Sequence, residues 1–252
     1  MVTGYRQLLL ITVGGLFFAC AVACHRSSSP NKEGSKAGVG AQAAGSCNNA
    51  YFPVSADQKL EYQSTFTIAI PSYTYVVSFT ENSDGSFDRL EESSDSSSID
   101  TPWRCQKDGL AASRYGDLSI PDSRTKLETL KYTGLTIPSQ DRWQKGFKWD
   151  CSYTVDGQMS FKGAPRPVDV TGIIGIASEI VLEERITVPA GAYNTFKIVS
   201  TFTERLALKD SPKTPPISIK FQVSSWYARD VGLVKRSSED FRITTVLTSF
   251  TH

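Results

Sequence analysis

Apolar and polar residues alternate with a period of two along most of the chain beyond residue 47. Leu60, Tyr62, Ser64, Phe66, Ile68 and Ile70 fall on one side of an extended segment, and Glu61, Gln63, Thr65, Thr67 and Ala69 on the other. Tyr73, Tyr75, Val77 and Phe79 resume the pattern after Pro71-Ser72. It returns in Phe196, Ile198, Ser200 and Phe202, in Ile219, Phe221, Val223, Ser225 and Tyr227, and in Phe241, Ile243, Thr245 and Leu247. Such alternation marks strands with one face in a core and one in water, the signature of antiparallel sheet. The predicted fold class is all-β. It is a large curved antiparallel sheet or open half-barrel of roughly ten or more strands, because wide sheets curl. At most a short helix is expected, near residues 122–130.

Turn chemistry separates these runs. Asn82-Ser83-Asp84-Gly85 and Pro189-Ala190-Gly191 read as turns, and Asp156-Gly157 as a hairpin tip after residues 151–155. Residues 92–100 and 208–216, rich in Ser, Asp, Lys and Pro, read as exposed loops. Gly172-Ile173-Ile174-Gly175-Ile176 lacks the Lys and following helix of a phosphate-binding loop. It reads as a glycine-relaxed buried strand or an exposed apolar loop.

The pattern is different before residue 47. Arg6 is followed by the apolar stretch 8–19 and then by Cys20 and Cys24, the order of a secretory signal. Ala21-Val22-Ala23-Cys24 has the small residues that precede a lipidated cysteine, so Cys24 is the expected acylation site. Cys20 is the alternative, with the bulky Phe17-Phe18 before it. A transmembrane anchor is the competing reading, since residues 7–24 are 18 uncharged positions, just short of the ~20 a bilayer span needs. Residues 25–46 hold no aromatic and one branched aliphatic, Val39. They cannot bury enough apolar surface to offset their ordering entropy and are expected to form a flexible tether. The expected organisation is a signal peptide over 1–23, a tether over 24–46 and one β-domain over 47–252. The expected location is the bacterial cell envelope outside the cytoplasm, anchored through an N-terminal palmitate-type lipid, in the outer membrane where the host has one.

Charge adds an exclusion. Cleavage after residue 23 removes Arg6 alone and leaves 26 basic and 26 acidic side chains. This balance argues against nucleic acid as a partner. Catalytic chemistry has little to work with. The only histidines are His25 and His252, so no imidazole is placed to activate a nucleophile or bind metal within the sheet. Glu91-Glu92 and Glu183-Glu184 are sequence neighbours that point to opposite faces of a strand. No catalytic residue, cofactor or metal is expected. Cys47, Cys105 and Cys151 remain in the exported domain, where one disulfide is permissible in any of three pairings. Trp226 and Tyr227 lie on opposite faces of one strand, one expected in the core and the other at an edge or ligand contact.

Four blocks, Cys47-Asn48-Asn49-Ala50-Tyr51-Phe52-Pro53, Trp103-Arg104-Cys105, Val188-Pro189-Ala190-Gly191-Ala192-Tyr193 and Trp226-Tyr227-Ala228-Arg229-Asp230-Val231-Gly232-Leu233-Val234-Lys235, resemble those of a loose group of exported bacterial lipoproteins. The stretch after Pro53 departs from the group, keeping only Tyr62 of its Trp-x-Tyr. The resemblance implies a β-rich fold similar to the curved half-barrels of lipoprotein carriers and implies no activity. The co-occurrence of the first two blocks implies a Cys47–Cys105 disulfide, with Cys105–Cys151 as the alternative. The functional expectation is non-enzymatic binding of a lipid, acyl chain or other apolar ligand on a concave sheet. The alternatives are assembly with another envelope protein and a carboxylate-based glycoside hydrolase.

Overall fold

The computed structural model describes residues 47, 49–67, 71–94, 96–115, 125–159, 166–211 and 213–251. Cys20, Cys24, the tether, His25, Ile68, Ile70 and His252 lie outside the described residues. Within them the chain forms one 13-stranded antiparallel sheet. The strands are β1 (Lys59–Phe66), β2 (Tyr73–Glu81), β3 (Phe87–Ser93), β4 (Ser98–Gln106), β5 (Gly109–Ala112), β6 (Thr125–Gly134) and β7 (Ile137–Pro138), then β8 (Lys148–Met159), β9 (Val168–Val188), β10 (Gly191–Leu208), β11 (Ile217–Ala228), β12 (Gly232–Ser238) and β13 (Ile243–Thr251). The spatial order is β6-β8-β9-β10-β11-β12-β13-β1-β2-β3-β4-β5-β7. Two meanders, β1 to β5 and β8 to β13, are thus joined where the first strand pairs with the last.

The two outermost strands, β6 and β7, are separated in sequence only by Leu135 and Thr136. A sheet whose opposite edges share so short a link must curl back on itself. The link is bonded on both sides: Leu135 N–H donates to the Asp150 carbonyl on β8 at 3.1 Å, and Thr136 N–H to the Leu110 carbonyl on β5 at 2.9 Å. The half-barrel is therefore pinned shut at residues 134–138 while β6 keeps a free edge.

Two expectations fail locally. Residues 125–130 belong to strand β6 and not to a helix. The strand carries a bulge between Thr129 and Lys131 that breaks its period-two alternation. The bulge ejects Leu130, which is 61% exposed, and Tyr132 then resumes the half-buried face. Asp156-Gly157 is not a hairpin tip, because β8 runs straight through it, paired to β6 and β9. Gly157 stands where any side chain would collide with the Lys126 carbonyl, so it permits close strand approach. The Asn82–Gly85 and Pro189-Ala190 turns form as expected. Gly172 to Ile176 lies within β9, with Ile174 and Ile176 buried and Ile173 exposed.

The inner face carries two apolar clusters. One gathers Phe52, Phe79, Phe87, Trp103, Trp143 and Tyr227, with the Phe52 and Trp103 rings 4.8 Å apart. The other gathers Tyr153, Ile174, Phe202, Leu206, Phe221 and Val223, with Phe202 and Phe221 stacked at 4.7 Å.

Candidate functional site

Between the two clusters lies a cavity of about 80 Å³, lined by residues from both. Two rows of polar side chains stand on this face, offset by two positions between β10 and β11, where Ser200 opposes Val223 and Ser225 opposes Ile198. Ser178 on β9 opposes Ser200 on β10, Ser225 on β11 opposes Arg236 on β12, Arg236 opposes Thr245 on β13, and Thr245 opposes Ser64 on β1. Ser64, Ser178, Ser225 and Thr245 are all buried. Each stands at an inward position of a strand whose neighbours on that face are apolar, such as Val223 and Tyr227 around Ser225. Placing hydroxyls on adjacent strands at one level satisfies some of them mutually. The Ser178 and Ser200 hydroxyls are 2.8 Å apart, as are those of Ser64 and Thr245.

Two guanidinium groups reach this interior. Arg89 on β3 lines the cavity and donates from Nη2 to Glu91 Oε2 at 3.0 Å. Arg236 also lines the cavity, and among the described residues it makes no hydrogen bond or ion pair through its side chain. Burial works against its charge, but the surrounding Tyr227, Tyr75 and Glu91 outweigh burial and raise its pKa further. Tyr62 donates to the Leu233 carbonyl at 2.7 Å, and burial holds its hydroxyl well above the usual phenol range. The Trp103 indole N–H, on a side chain 2% exposed that also lines the cavity, has no partner among the described residues. A buried donor without an acceptor costs about 1–3 kcal/mol.

Of the residues singled out in the sequence, Tyr227 lines this cavity and meets Trp143 edge-on at 5.5 Å. Trp226 does not line it. Its indole ring has Lys197 and Lys235 at 4.9 and 4.7 Å, and its N–H donates to Glu184 Oε1 at 2.6 Å. Cys47 and Cys105 form a disulfide with Cα atoms 5.2 Å apart. Cys151 is a free, buried thiol on the cavity wall. Glu183 and Glu184 occupy successive positions of β9, facing opposite ways, and Glu91 is committed to Arg89. Arg89, Arg236 and the inward serines were not singled out from the sequence. The serines did leave a signal, one hydroxyl interrupting each apolar face.

Burial pushes the Cys151 thiol up to about 12, partly opposed by a hydrogen bond from Tyr153. A thiol that stays protonated in the fold while the unfolded chain ionises contributes stability below the unfolded pKa of 9.0 and loses it as pH rises toward 12. Cys151→Ala should therefore flatten the alkaline loss of stability, by about 2 kcal/mol between pH 8 and 10.5. Urea titrations of both proteins across that range check it, and parallel pH profiles would refute it.

The fold and cavity define a class: a single curled β-sheet with a polar seam inside an aromatic core. Comparison with known proteins fits that architecture. The DUF3108-like family model matches residues 144–252, from just before β8 to the end of the sheet. A crystal structure of a protein from Bacteroides fragilis NCTC 9343, described as exported and of YmcC-like fold, is similar over 81% of this chain and 100% of its own, at 14% identity and a TM-score of 0.50. Another, from Parabacteroides distasonis ATCC 8503 and described as a lipoprotein, aligns over 81% of this chain and 99% of its own, at 15% identity and a TM-score of 0.48. No curated protein matches the chain.

Proposed function

We propose that this chain is a lipid-anchored protein of the bacterial cell envelope that binds a small ligand inside its curled sheet and catalyses no reaction. The observation that carries the reading is the largely apolar cavity at the seam of the two clusters, into which Arg89, Arg236 and three serines are set. Filling a core with apolar side chains is the more stable arrangement, so a half-buried Arg236 with no side-chain partner among the described residues and the unpartnered Trp103 N–H point to an occupant. The volume limits that occupant. Drug-sized ligands occupy about 300–1,000 Å³, whereas about 80 Å³ holds a few waters or one small polar group. An acyl chain does not fit there. A shallow groove on the sheet's surface holds Asp150 and Glu179, and Glu179 is paired with Lys148 at 3.3 Å. The envelope location is supported by the signal-like N-terminus with Cys24.

Native mass spectrometry of the full chain purified from its own host tests this. The expected spectrum shows an acylated N-terminal cysteine and a non-covalent adduct of small mass that is lost on activation. An unmodified thiol at residues 20 and 24, or a protein that never carries an adduct, would overturn the reading. A second reading, assembly with another envelope protein, is favoured by one feature. Leu130 on the free edge strand and Ile173 two strands away are both more than half exposed, and Thr154 on β8 pairs with both Lys131 and Ile173. Protein crosslinks from position 130 together with an adduct-free spectrum would decide for that reading.

A further inference from the structure

Arg236 stands within its row of polar side chains, with the Ser225 side chain on one neighbouring strand and Thr245 on the other. Two guanidiniums line the cavity, and among the described residues no carboxylate does. The nearby Glu91 is bonded to Arg89 at 3.0 Å. Arg236 is half-buried and makes no side-chain hydrogen bond or ion pair among the described residues, so its guanidinium fork is open to an anion. The groups around it offer the wrong complement to quench it: Ser225 makes no side-chain hydrogen bond among the described residues, and the Trp103 indole is a donor alone. Every unused group on the wall can donate, and what is missing is an acceptor carrying negative charge. A guanidinium fork is matched in geometry by the two oxygens of a carboxylate, phosphate or sulfate.

We infer that the interior cavity, taken as the binding site proposed above, is an oxyanion site in which Arg236 grips a carboxylate, phosphate or sulfate group with help from the Ser225 hydroxyl. The cavity admits the charged group alone. A ligand larger than the anion itself, such as a lipid with an anionic headgroup, places only that head inside.

Thermal unfolding of the full-length lipidated protein in neutral detergent tests this, with chloride replaced by phosphate, sulfate or acetate at constant ionic strength. At a hundredfold excess over Kd the expected rise in Tm is about 5–10 °C relative to chloride. Arg236→Gln removes that increment. Arg236→Lys keeps the charge but loses the fork and needs at least about tenfold more anion for half its effect. Ser225→Ala raises the half-saturating concentration by about tenfold. Glycerol phosphate saturating below inorganic phosphate identifies a lipid headgroup as the source, and the reverse order identifies a free anion. Both orders support the site. Equal Tm values in all salts, or an undiminished shift in Arg236→Gln, overturn it. Where the native adduct described above is present and is an uncharged molecule, the oxyanion inference falls while the binding reading stands. Where neither adduct nor anion shift is found, both fall.

Discussion

Replacing Cys47 and Cys105 with alanine is expected to cost about 4 kcal/mol of unfolding free energy. The disulfide closes a loop of 58 residues. Removing such a crosslink releases that much configurational freedom in the unfolded chain on the chain-entropy account. Its native consequence is local. Cys47 opens the segment that delivers Phe52 to Phe79, Phe87 and Trp103, and Asn49, whose side-chain amide donates to the Pro138 carbonyl at 2.8 Å. The bond thus holds the start of the domain against β4 and the closing strand β7. Urea unfolding of the double variant beside the parent measures the effect as the difference in unfolding free energy, with a steeper slope because the uncrosslinked chain unfolds to a less compact state. A loss below about 1 kcal/mol would show that packing alone holds the segment.

A comparable loss, about 3 kcal/mol or more, is expected for Gly134→Val. Gly134 has φ +80°, a left-handed conformation that β-branched residues avoid, and a side chain there would run into the backbone of Asp150 and Cys151. It ends β6 where the chain turns to become β7 on the opposite edge of the sheet. Relieving the collision means separating residues 134–138 from β8, which undoes the closure. Faster amide hydrogen exchange at Leu135 and Thr136 than at Ile174 in the variant would locate the damage there. A Gly85→Ala variant, at a turn with φ +77° but open space around it, should lose only about 1–2 kcal/mol. Equal losses at the two sites would show that the collision contributes nothing.

Much of this architecture was legible in the sequence because alternation is a local property. Leu60 to Phe66, Phe196 to Phe202 and Ile219 to Tyr227 each reported their inner face directly. The misreadings came where one residue broke the period. Leu130 sits in a bulge that breaks the alternation of β6, and Gly157 marks a close approach between strands where a turn was expected. The closure at residues 134–138 was not legible, because it depends on which strands become edges, and that is decided by pairing across the whole chain.

The cavity was half legible. Ser64, Ser200, Ser225 and Thr245 each occupy a single inward position among apolar residues, which is the trace such polar rows leave. That Ser64, Ser225 and Thr245 line up with Arg236 follows only from the registers of Ser225 with Arg236, Arg236 with Thr245 and Thr245 with Ser64, and Ser200 stands two positions off, opposite Val223. The arginines left no trace. Arg89 stands among Asp88, Glu91 and Glu92, and Arg236 follows Lys235. Stretches of that composition ordinarily belong to solvated faces. Arg236 enters the interior because β12 is flanked by β11 and β13, and its neighbour Lys235 turns outward to Trp226.

The central claim is that an anionic group belongs between Arg236 and Ser225. Crystals of the full chain grown with selenate as the sole oxyanion would test it at the selenium absorption edge. The account predicts an anomalous peak inside the cavity within hydrogen-bonding distance of the Arg236 guanidinium. A cavity holding only water, with Arg236 turned onto Glu91, would contradict it.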